Sequence, residues 1–391
     1  MRRFISLLFA VTSIILLFNS CGTESTPDTE PEIPEGFFLD ENGITIWCTQ
    51  TSPGETGIVD GVEYEAVDRD LLLQRIEEGA DLTKVCTTPV RDMRHLLSGQ
   101  TEFNQEIGNW DVSHVTNMSD MFRRARTFNQ PIGAWDTGKV IHMSNMFGFA
   151  DSFNQDIGNW DVSNVVYMSS MLSDAISFNK DISDWDVSSV ERASSLFEGA
   201  ITFNQDISGW DVSSVTHAHQ MFGNATSFNQ DISDWDVSNV ERMSFMFNHA
   251  TSFNQDLNDW QLNKVETIND MFSGATAFNG DITNWDMSNV TEASTMFEDA
   301  VSFNRDIGNW DMSNVESIGW MFKGATSFNQ DIGDWDVSNV TFLERMFLDA
   351  SSFNQDLSGW CVSNFETEPE EFADGSQLTE EHKPIWGSCK E

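Results

Sequence analysis

The feature that most limits what this chain can become is a strict period. Phenylalanine recurs every 25 residues from Phe103 to Phe353, eleven times, each followed by Asn and, seven residues on, by Trp. Eleven of the 14 tryptophans therefore occupy one repeat position. Self-similarity at a period of about 20–50 residues marks a solenoid or array, in which neighbouring units bury one another's apolar faces. A 391-residue chain would otherwise suggest roughly two or three globular domains; here the array overrides that expectation.

One unit shows what each coil must do. The unit starting at Phe228 sets apolar side chains at Phe228, Ile232, Trp235, Val237, Val240, Met243, Met246, Phe247 and Ala250. From Val240 onward the spacing is three or four, which predicts a short helix over about 241–248. Any strand must lie in the arc from Phe228 to Val240, where Trp235-Asp236-Val237 alternates. The Asn after each Phe is expected to form a buried column that bonds the backbone of coils above and below. The Ala column from Ala125 to Ala350 marks close approach between neighbouring helices. The expected fold is an α/β solenoid of about eleven coils, each with a short helix and a short strand, capped at both ends.

The flanks divide the rest. Residues 1–20 read as a lipoprotein signal peptide: a basic start at Arg2-Arg3, an apolar run from Phe4 to Phe18, then Asn19-Ser20-Cys21. Cys21 is the expected lipidation site. Residues 21–40 read as an acidic, Pro-rich disordered tether. Residues 41–88 read as a small N-terminal cap, with a hairpin around Asp60-Gly61 and a helix over Leu71 to Glu78 capped by Asp68 and ended by Gly79. The array covers 89–365, and 366–391 forms a C-terminal cap. With Cys21 lipidated, four cysteines remain, two on each flank. Because the array holds the flanks apart, the expected disulfides are Cys48–Cys86 and Cys361–Cys389.

The pattern Phe-Asn-Gln-Asp-Ile-x-x-Trp-Asp-Val-Ser-x-Val-x-x-Met-Ser-x-Met-Phe-x-x-Ala resembles that of the BspA-like leucine-rich-repeat surface proteins of Bacteroidetes, mycoplasmas and related bacteria, over about residues 44 to 389. The resemblance implies a leucine-rich-repeat-like stack and a role in surface attachment or binding, and names no ligand. The location it suggests, together with the lipoprotein signal, is the outer membrane, facing outward at the cell surface.

Composition excludes some partners. The net charge is −43, so the chain offers no basic patch to neutralise phosphates, and neither nucleic acid nor an anionic membrane surface is an expected partner. Membrane contact is expected through the lipid alone. No enzyme, metal or cofactor is expected. The acids recur in columns, such as Asp156, Asp181 and Asp206 or Asp161, Asp186 and Asp211, whereas an active site is singular. Such columns suit turn-capping carboxylates; a calcium ladder is the alternative, interrupted at Pro131 and Gln261.

The repeats differ from one another mainly in the two residues after the Val column. Their freedom predicts solvent exposure, and the candidate binding face is Ile141, His142, Tyr167, Arg192, His217, Arg242 and Phe342, with Trp320 added from a column of mostly small or polar residues. The expected function is a lipid-anchored scaffold for adhesion or protein binding. The alternative is a surface or periplasmic glycan-binding lipoprotein that captures nutrients. The expected partner is a protein or glycan on another cell or matrix.

Overall fold

The computed structural model describes residues 34–389. The expected signal peptide, Cys21 and most of the tether lie outside the described residues. Within the stretch expected as tether, Gly36–Leu39 instead forms strand β1 and pairs antiparallel with β2, Ile46–Thr49. Phe37 explains the difference: it packs on the small cluster of Ile46, Cys48, Val59, Ala66 and Cys86. Strands β3 (Thr56–Val59) and β4 (Val62–Ala66) form the hairpin around Asp60-Gly61, both left-handed, with φ of 49° and 82°. That pair of left-handed residues suits a tight two-residue hairpin turn. Helix α1 spans Arg69–Glu77; the Asp68 carboxylate accepts the Leu71 N–H at 2.9 Å, and Gly79 leaves the helix at φ 68°. A short 3-10 turn, Leu82–Lys84, leads into β5, Val85–Cys86, which lies parallel to β4. Cys48–Cys86 and Cys361–Cys389 are both disulfide-bonded.

The repeats contain no helix among the described residues, which corrects the expectation for each unit. The backbone donors show why. Met118, Asp120, Phe122 and Arg124 each donate N–H to the next unit, to the carbonyls of His142, Ser144, Met146 and Gly148, at 2.7–2.9 Å. The alternate donors close tight turns: Met121 to Met118, Arg123 to Asp120 and Ala125 to Phe122. A helix would spend these groups within the segment. Chained turns also return side chains to one face every three or four residues, so the apolar spacing suits either structure. Asp120 and Arg124 have φ of 57° and 62°, a conformation no α-helix contains. Both positions repeat up the stack; the second is glycine at Gly99, Gly199, Gly274 and Gly324. Glycine adopts positive φ without steric cost, and that column is the sign in the sequence that turns, not helices, occupy this arc.

Successive units are joined by ladders. Every repeat tryptophan donates its indole N–H to the preceding unit, as Trp235 Nε1 does to the Ile207 carbonyl at 3.1 Å and Trp260 Nε1 to Ile232 at 3.0 Å. These rings are at most 4% exposed. The Phe103–Phe353 column stacks face to face without a gap, centroids 5.8–6.2 Å apart. A second column, from Phe122 to Phe347, lies against it and is interrupted only by Leu172. The Asn column does bond backbone: Asn104 Oδ1 accepts the Asn129 N–H at 2.9 Å, and the pattern repeats to Asn354. It is not buried, however, because Asn104 and Asn204 are exposed. The ladder serves a rim where water would otherwise compete for each N–H.

The ends close the stack. At the N-terminal side the Trp110 indole N–H reaches the Leu82 carbonyl, and Arg69 donates to the carbonyls of Asp92 and Arg94. At the C-terminal side Phe347 donates to Phe372, and the Phe372 ring stands edge-on to Phe347 at 88°. A ring turned edge-on ends a parallel stack.

Candidate binding face

The variable arc follows each Val column. Its second position forms a column of parallel bridges: Asn117, His142, Tyr167, Arg192, His217 and Arg242, then, after a break, Thr267, Glu292, Ser317 and Phe342. Five of the eight candidate residues, His142, Tyr167, Arg192, His217 and Arg242, are thus consecutive rungs of one ladder, at about 4.8 Å per rung. The His142 and Tyr167 rings stack with centroids 4.7 Å apart. Arg192 and Arg242 are exposed. Ile141 stands one position earlier and is 39% exposed.

Phe342 and Trp320 form a separate group. Phe342 is the far end of the ladder, whereas Trp320 belongs to the left-handed column, with φ 56°. Their rings lie 5.0 Å apart, and the Arg345 guanidinium sits 6.0 Å from the Trp320 ring. Gly319 makes the room: a Cβ there would collide with the Phe342 ring. The break in the ladder falls between Arg242 and Thr267, where Ser244 Oγ lies 2.8 Å from Thr267 Oγ1.

Sequence reasoning missed three contributors to this face: Arg345 over Trp320, and His219 with Phe245, whose rings meet edge-on at 5.3 Å. His219 lies two positions beyond the second variable position, and Phe245 and Arg345 share the column of Trp320. Burial holds the His217 and His219 imidazoles below their usual pKa; Arg192 and Arg242 push His217 the same way, and Arg242 does so for His219. The variable arcs between 116 and 252 contain six acids against five Lys and Arg, so this surface is close to neutral in a chain of net charge −43.

The acids that recur in columns sit on the other arc, where they cap turns. Asp231 Oδ1 accepts the Ser233 N–H at 3.0 Å, and Asp236 Oδ1 accepts that of Ser238 at 3.0 Å. The hydrogen bonds from Ser233 and Ser238 hold both carboxyls below the usual Asp range. Asp156, Asp161, Asp181, Asp186, Asp206 and Asp211 each accept a backbone N–H two residues on in the same way. Among the described residues, no three His, Cys, Asp or Glu side chains converge as metal ligands, and no helix is long and apolar enough to cross a membrane.

No curated protein matches the chain. One family does, in five overlapping stretches: residues 72–185, 132–230, 168–285, 205–306 and 269–385. These cover most of α1, the whole array and most of the C-terminal cap. The chain therefore belongs to the family described as Mycoplasma protein of unknown function, DUF285.

Proposed function

We propose that this chain is a BspA-like surface lipoprotein: a leucine-rich-repeat-like solenoid, anchored through lipid on Cys21, that presents its variable arc to a protein on another cell or matrix and performs no catalysis. The observation that carries this reading is the contrast between the arcs. Side chains on one arc repeat because ladders require them, while the bridge column runs Asn117, His142, Tyr167, Arg192, His217, Arg242, with no two neighbours alike. Tyr and Arg are also the residue types that dominate protein interfaces when placed centrally. Beads coated with the protein should adhere to partner cells, and the Tyr167→Ala, Arg192→Ala, Arg242→Ala triple variant should reduce adhesion at least tenfold, as expected when hot-spot residues are truncated. A matched triple variant in the acidic arc, Asp181→Ser, Asp206→Ser and Asp231→Ser, should adhere as wild type does. Equal loss in both would remove the variable arc from the account.

A further inference from the structure

A cleft of ≈ 700 Å³ lies between the N-terminal cap and the constant arcs of the first repeat units. That volume is within the usual range for small-ligand sites. Ile44, Val62 and Tyr64 of the cap form one wall. Ile44 is 46% exposed and Val62 38%, an unusual display of apolar surface in so acidic a chain. The opposite side includes Pro131 and Ala134. Both break the repeat rule: Asp or Glu stands at the Pro131 position in every other unit, and Asn, Asp or Gly at the Ala134 position. The one unit that loses its charge and its polar side chain on this rim is therefore a unit that lines the cleft.

We propose that this cleft binds a neutral oligosaccharide. Its polar lining contains the amides Gln155 and Asn159, the carboxylates Glu106 and Asp156, and a single ammonium, Lys84. Two carboxylates against one ammonium disfavour an anion, and the apolar wall disfavours a bare cation because it cannot replace the cation's hydration. A sugar ring meets both halves of the lining. Its C–H face can lie on Tyr64 and the aliphatic wall, and its hydroxyls can pair with amides and carboxylates, which supply acceptors and donors together. The site is separate from the variable arc, so either assignment can fail without the other.

The test is isothermal titration calorimetry of the protein against maltotetraose, cellotetraose, laminaritetraose and chitotetraose. At least one should bind saturably, with one molecule per chain. The double variant Pro131→Asp, Ala134→Asn restores residues that other units carry at these positions, so its unfolding midpoint should match wild type while its affinity falls at least tenfold. Tyr64→Ala should weaken binding by a similar factor, and Tyr167→Ala should leave it unchanged. The proposal is overturned if none of the four sugars binds saturably, or if the double variant binds as tightly as wild type. Should Tyr64→Ala unfold the cap, the double variant alone decides.

Discussion

Each repeat unit has two arcs that obey different rules. The arc from Phe to Val is nearly constant, and its recurring side chains reach the neighbouring unit: Trp indole to a main-chain carbonyl, Asn amide oxygen to the next Asn N–H, Phe ring to Phe ring. The arc after Val is held mainly by backbone bonds between units, as when Phe222 donates to Met246 and Asn224 to Asn248, so its outward side chains can change freely. The lesson is that a ladder made of side chains freezes a sequence, while a ladder made of backbone leaves it open. Freedom to vary is what a recognition surface needs.

The sharpest way to break this contrast is to remove a side-chain rung. Trp235→Ala should cost about 3–5 kcal/mol, typical of a buried Trp truncation, and should leave the Ile207 carbonyl without its 3.1 Å partner. Because stability in a stack is close to a sum of unit and neighbour terms, the array should unfold in two steps, with protease cleavage near its middle. Trp360→Ala, at the last rung, should only fray the C-terminal end. Denaturant unfolding followed by circular dichroism, with limited proteolysis, reads both; a single wild-type-like transition for Trp235→Ala would contradict the ladder.

Asn229→Ala should cost less, about 1 kcal/mol, since its Oδ1 accepts the Asn254 N–H and the Gln255 Nε2 at 2.8 Å but lies on an exposed rim. Hydrogen exchange at the Asn254 amide should quicken. No change there would mean that water replaces the rung at no cost.

Phe149→Gly sharpens the contrast from the other side. Phe149 holds φ 59° at a position that other units give to glycine. Relief of a strained left-handed residue should raise stability by about 1 kcal/mol, read as a higher unfolding midpoint. A lower midpoint would show that the Phe149 contact with Arg124, 5.6 Å from the ring, outweighs the strain.

Legibility in the sequence follows the same division. The side-chain ladders could be read directly, because Phe228, Trp235 and Asn229 recur at fixed phase, and so could the Asp-x-Ser turns such as Asp231 with Ser233. The two disulfides and α1 followed from cysteine placement and from Asp68 and Gly79. The backbone-held arc could not be read in this way. Val240, Met243, Met246, Phe247 and Ala250 fit a helix and chained turns alike, and only the recurrence of Gly, Asp and Asn at the positions of Gly199, Asp174 and Asn224 separated them. Strand β1 was hidden by the acidic run before it, although Phe37, Phe38 and Leu39 had the composition of a strand. On the candidate face, the columns gave His142 to Arg242 but not Trp320's neighbour Arg345, because an Arg in the Trp320 column reads as one more polar residue until the next unit places it beside the ring.

The division of labour between the arcs can be tested in one chain. Replacing His142, Tyr167, Arg192, His217 and Arg242 together by Thr alters five consecutive rungs of the bridge column without touching a buried side-chain ladder. Thr suits a strand position and already stands at Thr267 in the same column. Surface substitutions outside the core usually change stability by at most about 0.5 kcal/mol each, so the variant should unfold cooperatively with a midpoint close to wild type. Its adhesion should be lost. A variant that unfolds early would show that the variable side chains hold the stack together, and one that folds and still adheres would show that recognition lies elsewhere.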